Sequence, residues 1–147
     1  MQKKLLIVLT LLVSAYLTGC ASVPMASMEE DNMRKAFSSP PKGTSGLYIF
    51  RNSNFGGALK KSVYVDGGFI GETAPMTYFY RRVKAGEHTL STESEFSENY
   101  LSLKTESGRN YFIRQYIKMG VFVGGAGLAV VSQQDGRNGV LECNLAK

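Results

Sequence analysis

The chain has 147 residues, which is enough for one domain with a hydrophobic core but not for two. Its formal net charge of +5 is spread along the sequence, so the charge pattern does not predict a nucleic-acid-binding surface. The single histidine, His88, excludes a metal site built from several histidines.

An apolar segment that ends in a cysteine opens the chain. Lys3 and Lys4 provide a charged start and residues 5–13 a short apolar core, as in a bacterial secretory signal. At about 1.5 Å per residue, residues 5–19 are too short to cross the ~30 Å hydrocarbon core of a bilayer as a helix. We therefore predict a signal peptide over residues 1–19 and not a permanent spanning helix.

The motif Leu17-Thr18-Gly19-Cys20 resembles the lipobox of bacterial lipoproteins. This resemblance implies that the Cys20 thiol receives a diacylglyceryl group, that cleavage follows, and that the new N-terminus is acylated with a fatty acid such as palmitate. Two or three acyl chains hold a soluble domain at a bilayer, whereas one chain binds only marginally. Because Ala21 and not Asp follows the cysteine, the resemblance favours the periplasmic face of the outer membrane.

A short helix is predicted directly after the lipidation site. Ser27 and Glu30 have the spacing of a capping box, and Pro40-Pro41 ends the helical segment. We assign residues 20–43 to a lipidated tether that contains this helix, and we expect its apolar residues to dock on the domain. These apolar residues are Met25, Met28, Met33, Ala36 and Phe37.

From Gly46 onward the sequence alternates with a period of two. Leu47 and Ile49 have one parity, while Tyr48 and Phe50 have the other. Both sets are apolar, so we predict that this strand is covered on both faces.

Turn residues separate several further strand candidates. Asp66-Gly67-Gly68 supplies the positive-φ residues of a tight hairpin turn, and residues 110–118 form the longest strand candidate. Short strands at turn-separated intervals are typical of an all-β fold, so residues 44–147 are predicted to form a small antiparallel β-sandwich of about 7–8 strands.

The C-terminal part is less regular. We expect Gly124-Gly125-Ala126-Gly127 to form a turn between two strands and Asp135-Gly136 to begin another turn. Residues 140–145 fit either a last strand or a short helix. If Cys20 carries lipid, Cys143 has no intramolecular partner, and we predict that it is a buried small apolar residue.

Two family resemblances cover these segments. Residues 63–73 and 86–89 are similar to the PEGA-type module, a small β-sandwich repeat. Together with Val23-Pro24-Met25-Ala26-Ser27, Gly46-Leu47-Tyr48-Ile49-Phe50-Arg51 and Tyr111-Phe112-Ile113-Arg114-Gln115, they resemble the bacterial lipoprotein family called domain of unknown function 2846. That resemblance implies an envelope lipoprotein with a β-rich domain, and it brings no assigned activity or catalytic residues.

The residues capable of catalysis form no convincing constellation. Glu93 and Glu95 would lie ~6.5–7 Å apart on one face of a strand, within the range of inverting glycosidases, and Glu98 is nearby. Their serine-rich surroundings favour a solvated acidic loop, since exposure does not raise a carboxyl pKa. His88 lacks a Gly-x-Ser-x-Gly elbow. We predict no catalytic residue, metal or cofactor.

A basic and aromatic surface is the best candidate for binding. Its charged members fit anionic headgroups or peptidoglycan carboxylates, and its tyrosines fit sugars. Alternatively, these charges only discourage aggregation at strand edges. The residues are Lys60, Lys61, Tyr78, Tyr80, Arg81 and Arg82, with Lys84 beside them.

The sequence is compatible with three functional hypotheses. The first is a non-enzymatic envelope lipoprotein, held at the membrane through Cys20, that binds another envelope component or supports an assembly. The second is a peptidoglycan or carbohydrate binder that uses the basic and aromatic surface. The third is a hydrolase of cell-wall glycan, which would require Glu93, Glu95 and Glu98 to converge.

Overall fold

The structure is a computed structural model that describes residues 20–147. The signal peptide predicted for residues 1–19 lies outside these described residues. The elements follow the chain as α1 (Met28–Lys35), β1 (Thr44–Arg51), β2 (Lys61–Val65), β3 (Gly68–Thr73), β4 (Thr77–Lys84), β5 (Gly86–Glu93), β6 (Glu98–Thr105), β7 (Asn110–Lys118), β8 (Gly125–Val131), α2 (Gln133–Leu141) and β9 (Asn144–Leu145).

The described strands form two sheets, which confirms the predicted mainly β fold. One sheet has the order β8-β7-β1-β4-β9 and the other the order β3-β2-β5-β6. The pairing is not purely antiparallel as predicted, because β1 runs parallel to β7 and β4 parallel to β9. Between β1 and β7 the chain forms β4 and all four strands of the second sheet, and parallel neighbours require such a long crossover.

One hydrophobic core lies between the two sheets. Alternate residues of β1, β4 and β7 face alternate residues of β2, β5 and β6, so side chains of both sheets interdigitate there. The most deeply buried members of this core are Leu47, Ile49, Val63, Phe79, Leu90 and Ile113.

A second apolar layer covers the other face of the five-stranded sheet. Tyr48 and Phe50 on β1 pack there with Phe112 and Val140, under α1 and α2. The Tyr48 and Phe112 rings stack with centroids 5.0 Å apart. Both parities of β1 are therefore buried, and the prediction that this strand is covered on both faces is confirmed.

Helix α2 replaces the turn that was expected at Asp135-Gly136. Its N-cap is Ser132, whose hydroxyl accepts the N–H of Asp135. A Cβ added to Gly136 would lie 2.2 Å from Phe112, and one added to Gly139 would lie 2.2 Å from Phe50. Both glycines thus let the helix axis approach the sheet. The segment left open at the C-terminus is the end of this helix followed by the short strand β9.

The turn expected at residues 124–127 is displaced toward the N-terminus. Strand β8 begins at Gly125, and Gly127 pairs with Tyr116 on β7. A Cβ at Gly127 would lie 2.6 Å from the Tyr116 ring, so a packed ring occupies the space that a side chain would need. The connection between β7 and β8 is formed by residues 119–124 instead.

Helix α1 forms as predicted but docks through a different face. The capping box between Ser27 and Glu30 is present. Met28 and Met33, which were expected to pack on the domain, are exposed. Of the five apolar residues expected to dock, Phe37, just after the helix, does pack on the domain, against the rings of Tyr48 and Phe112. The helix itself makes a polar contact: the Asp31 carboxylate accepts the Tyr78 hydroxyl at 2.8 Å and the Leu145 N–H at 3.0 Å.

Candidate functional site

Cys20 is exposed, and the chain joins the fold at the next residue. The N–H of Ala21 donates to the carbonyl of Gly57 at 3.0 Å, and the carbonyl of Pro24 accepts the N–H of Lys147 at 2.9 Å. The segment predicted to be a tether is therefore packed on the domain from Ala21 onward.

The loop that receives Ala21, residues 52–60, is organised by a buried arginine. The Arg51 side chain is fully buried and donates to the carbonyls of Leu59 at 2.7 Å and Gly56 at 2.8 Å, with a third bond to Phe55. Burial lowers the pKa of Arg51. Because a guanidinium group carries five N–H donors in a rigid plane, this one side chain can bond several carbonyls and fix the conformation of the loop. The sequence carries no signal for this role, because Arg51 simply continues an apolar strand.

A second loop, residues 119–124, lies against the first. A Cβ on Gly124 would lie 2.7 Å from the Leu59 side chain, and one on Gly56 would lie 3.1 Å from that of Ile117. Strands β1 and β7 are parallel and end at these two loops, so both loops occupy one end of the molecule. We call this end, formed by Cys20, Ala21 and the loops 52–60, 94–97 and 119–124, the Cys20 end.

Glu95 shapes the Cys20 end and does not act as part of a carboxylate pair. Its side chain accepts the N–H groups of Val121 at 2.7 Å, of Val123 at 3.1 Å, and of Phe122. The N–H of Phe122, together with the other two, lowers the pKa of Glu95. A general acid in glycoside hydrolysis needs the opposite shift.

The other two acids of the predicted cluster lie opposite each other on the paired strands β5 and β6. Glu93 accepts the N–H of Ser62 at 3.1 Å, and Glu98 is exposed opposite it on β6. Because Glu95 is occupied by the 119–124 loop, the three carboxylates do not converge around a common space.

His88 and Asp66 form a structural pair at the other end of the molecule. Nδ1 of His88 lies 2.7 Å from the Asp66 carboxylate, and Nε2 lies 2.7 Å from the carbonyl oxygen of Lys84. Burial opposes the charge of each group, but the hydrogen bonds outweigh it, so the pKa of His88 is raised and that of Asp66 is lowered. Both ring nitrogens face acceptors, which suits the doubly protonated imidazolium.

The predicted basic and aromatic surface is not formed as one surface. Tyr78 is 0% exposed and Lys61 only 6% exposed, so neither can meet a ligand. Tyr80 is half-buried under the guanidinium of Arg34, which lies 4.3 Å from its ring centroid. The two tyrosines share the parity of β4 that faces α1, and alternation alone could not show that a helix covers this face. Lys60 is exposed at the Cys20 end.

Two members of the predicted surface do come together with new neighbours. Arg81 and Arg82 are exposed at the end of β4 and line an open depression of about 390 Å³ with Lys84, His88 and the exposed ring of Phe69. We call these residues the basic depression. It includes the β2–β3 turn, whereas the Cys20 end lies where β2 begins.

Cys143 has the placement that was predicted. It is 1% exposed, and burial, with a smaller effect of the Glu142 carboxylate, raises the pKa of its thiol to about 12. Among residues 20–147 no group of His, Cys, Asp or Glu side chains is arranged to hold a metal ion. Within the same residues, neither helix has the length and apolar character needed to span a bilayer.

Two packed β-sheets with helices on one outer face define a mainly β domain with a helical cover. The chain belongs to the family described as "Protein of unknown function (DUF2846)", which matches residues 41–126. It is also 59% identical over 134 residues to an uncharacterized protein of Haemophilus influenzae, a match that covers 91% of this chain and 80% of that protein. No solved structure matches it significantly. The likeness to the PEGA-type module stays a prediction.

Proposed function

We propose that this protein is a lipid-anchored lipoprotein of the bacterial envelope whose domain acts by binding and not by catalysis. The observation that carries the proposal is the position of Cys20. It ends the Leu17-Thr18-Gly19-Cys20 motif, it is exposed, and the chain enters the fold at Ala21. A chain cleaved before Cys20 would keep every contact described above, and both the lipid-bearing sulfur and the new N-terminus of Cys20 would lie at the surface.

The same position explains how the domain would be held. Two or three acyl chains on one residue suffice for stable membrane attachment. Because Ala21 is bonded to Gly57, almost no free linker would separate the acyl chains from the domain. Ala21 itself favours the periplasmic face of the outer membrane, by its resemblance to sorted lipoproteins.

Lipid attachment is tested by growing cells with labelled palmitate and recovering the protein. We expect the label to enter the wild-type chain and to be absent from a Cys20→Ala variant, which should also keep residues 1–19 uncleaved. Ser22→Ala, two residues away at an exposed position, is the matched control and should be labelled like the wild type. Absence of the label from the wild type, or equal labelling of Cys20→Ala, would contradict the proposal.

A second candidate function, recognition of an acidic envelope polymer such as peptidoglycan, is favoured by the basic depression. Arg81, Arg82 and Lys84 supply cationic groups beside the exposed Phe69 ring. Arginine pairs with carboxylates in a bidentate manner, and an aromatic ring can pack on a sugar. The depression does not include the Cys20 end, so it would stay free when the lipid is inserted.

Sedimentation with purified peptidoglycan tests this second function. We expect salt-sensitive co-sedimentation of the wild type and its loss in an Arg81→Ala/Arg82→Ala variant. Lys60→Ala/Lys104→Ala removes the same charge from exposed positions outside the depression and is the control. Binding that falls equally in both variants would indicate net charge alone and reject a specific site. No observation favours the hydrolase hypothesis, since the three glutamates do not converge.

A further inference from the structure

Several strongly exposed apolar side chains lie together at the Cys20 end. Met119 is 86% exposed, Phe122 83% and Val121 78%. Single exposed apolar residues are common on soluble proteins, but a contiguous group marks an interaction surface. Phe55 and Phe96 are exposed in the two neighbouring loops.

The conformation of the 119–124 loop keeps these side chains in contact with water. Three successive N–H groups of the loop bind the Glu95 carboxylate, so the backbone is directed inward. A Cβ at Gly120 would lie 1.7 Å from the carbonyl of Val123, so only glycine fits this tight turn. The apolar side chains therefore cannot fold back into the core without breaking this arrangement.

We propose that the apolar tip of this loop, Met119 to Val123, inserts into the interfacial region of a phospholipid bilayer beside the lipid on Cys20. The inference rests on the proposed function for its orientation. The part of the chain outside the described residues joins the domain at Cys20, at this same end. The contacts of Ala21 with Gly57, and of Leu59 next to Gly124, make the loop and the attachment point continuous.

The polar groups around the tip fit a headgroup region. Lys118 and Lys60 flank the loop and match anionic phosphates, and the charge of Glu95 is engaged by three N–H groups. The loop would then add a second attachment to the membrane, because its apolar residues enter the interfacial region beside the acyl chains. The domain would then have a defined orientation, with the basic depression directed away from the bilayer.

The chain contains no tryptophan, so a single introduced indole reports its own environment. The full chain carrying Phe122→Trp is purified from bacterial membranes and reconstituted in vesicles of phosphatidylethanolamine and phosphatidylglycerol with brominated acyl chains. Phe69→Trp, exposed in the basic depression, is the matched control. We expect the indole at position 122 to be quenched at least about twofold more than that at position 69, and to be protected from iodide in the water. Adding Val121→Asp to the Phe122→Trp chain should reduce this difference.

Three outcomes would overturn the inference. An indole at position 122 that iodide reaches and brominated lipid does not would mean that the tip faces water. Shielding from both quenchers would mean that a second copy or another protein covers it. Equal lipid quenching at positions 122 and 69 would mean that the domain has no fixed orientation. The mass of the Cys20 peptide is measured separately, so failure of lipidation is distinguished from failure of the loop to insert.

Discussion

At the scale of single residues, His88 and Asp66 connect the β2–β3 turn to the start of β5. Asp66 has a φ of 51°, and its carboxylate accepts both the His88 ring and the N–H of Thr89. The pair thereby holds the hairpin turn in a left-handed conformation that an unsupported aspartate would adopt less readily. Its strength depends on pH, because each partner must be charged.

The pKa shifts of His88 and Asp66 make the stability of the protein depend on pH in opposite directions. The pKa of His88 is higher in the folded chain than in the unfolded chain, where it is about 6.5. The resulting stabilisation is fully present below the pKa of the unfolded chain and is lost as pH rises through the pKa of the folded chain. The pKa of Asp66 is lower in the folded chain than in the unfolded chain, where it is about 3.9. The resulting stabilisation is fully present above the pKa of the unfolded chain and is lost as pH falls through the pKa of the folded chain. The pair therefore stabilises most between these two limits.

We predict that His88→Ala destabilises the protein more in weak acid than in weak base. The Asp66 carboxylate is half exposed, so screening limits the difference to about 0.5–1 kcal/mol. It is measured by urea unfolding at about pH 5.5 and about pH 8.5. Glu87→Ala, at the exposed neighbouring position, should change the free energy of unfolding equally at both pH values. A pH-independent effect of His88→Ala would contradict the prediction.

Residue types predicted some placements well and others badly. The burial of Cys143 and of both faces of β1 followed from apolar patterning, which is a local property. The prediction that Tyr78 belongs to an exposed surface was wrong. Alternation along β4 shows only that Tyr78 and Tyr80 lie on the same face of the strand. Which element covers that face depends on where α1 docks.

At the scale of elements, α2 shows how packing can override intrinsic propensity. Glycine disfavours a helix by about 1 kcal/mol relative to alanine, and two glycines within nine residues predict a turn. In the fold, Gly136 and Gly139 lie directly over the rings of Phe112 and Phe50. The close approach buries Val140 and Cys143, and this burial stabilises the helix in spite of its composition.

We predict that Gly139→Ala destabilises the protein, although alanine is the better helix former. The added methyl group would lie 2.2 Å from the buried Phe50 ring, and overpacking of a core costs about 1–3 kcal/mol, more than the gain in propensity. Thermal unfolding of this variant and of Asn138→Ala measures the effect. The control changes an exposed position of the same helix and should leave the melting temperature unchanged or slightly higher.

The docking of helix α1 on the domain depends on the carboxylate of Asp31. Asp31→Ala would remove the acceptor of the Tyr78 hydroxyl and of the Leu145 N–H, and would break the 2.7 Å contact with Lys35. We predict a loss of about 2–3 kcal/mol, because hydrogen bonds to a charged group are strong and the donors would be left buried.

Chemical denaturation tests this prediction, with Glu29→Ala as the control. Glu29 lies in the same first turn, is exposed, and should contribute only a few tenths of a kcal/mol through the helix dipole. Proteolysis should also cut the α1 segment faster in Asp31→Ala than in the control. Similar stability of the two variants would show that α1 is held by its apolar residues after all.

At the scale of the whole molecule, a buried polar bridge joins the two sheets. Gln115 on β7 is 1% exposed, and its amide donates to the Thr92 hydroxyl at 2.8 Å while its carbonyl accepts from Thr73. Thr92 in turn donates to the Ser62 carbonyl at 2.7 Å. Side chains of β3 and β5 are thereby tied to β7 across an otherwise apolar core.

We predict that Gln115→Leu destabilises the protein by about 1–3 kcal/mol, because both threonines lose a buried partner. Combining it with Thr73→Val and Thr92→Val should recover part of this loss, since apolar groups replace both sides of each bond. Urea unfolding of both variants gives the comparison. Gln134→Leu, at an exposed position, is the control, and a triple variant less stable than Gln115→Leu would contradict the prediction.

The orientation of the whole molecule depends on contacts that join distant segments. Leu17-Thr18-Gly19-Cys20 predicts lipid attachment, but only the bond from Ala21 to Gly57 places that cysteine beside the loop 119–124. The apolar character of residues 119–123 is visible in the sequence, but their exposure is not. This exposure results from the Glu95 carboxylate, which is contributed by the loop between β5 and β6.

Local patterns by themselves determined the mainly β fold, the capping box of α1, the hairpin turn at Asp66 and the burial of Cys143. These features depend on residues close together in the chain, where periodicity and turn chemistry act directly. The tertiary structure alone decided the parallel pairing of β1 with β7, the helix at Gly136, and the docking of α1 through Asp31. Each of these requires partners far apart in sequence, because packing energy depends on which surfaces meet and not on the order of the residues.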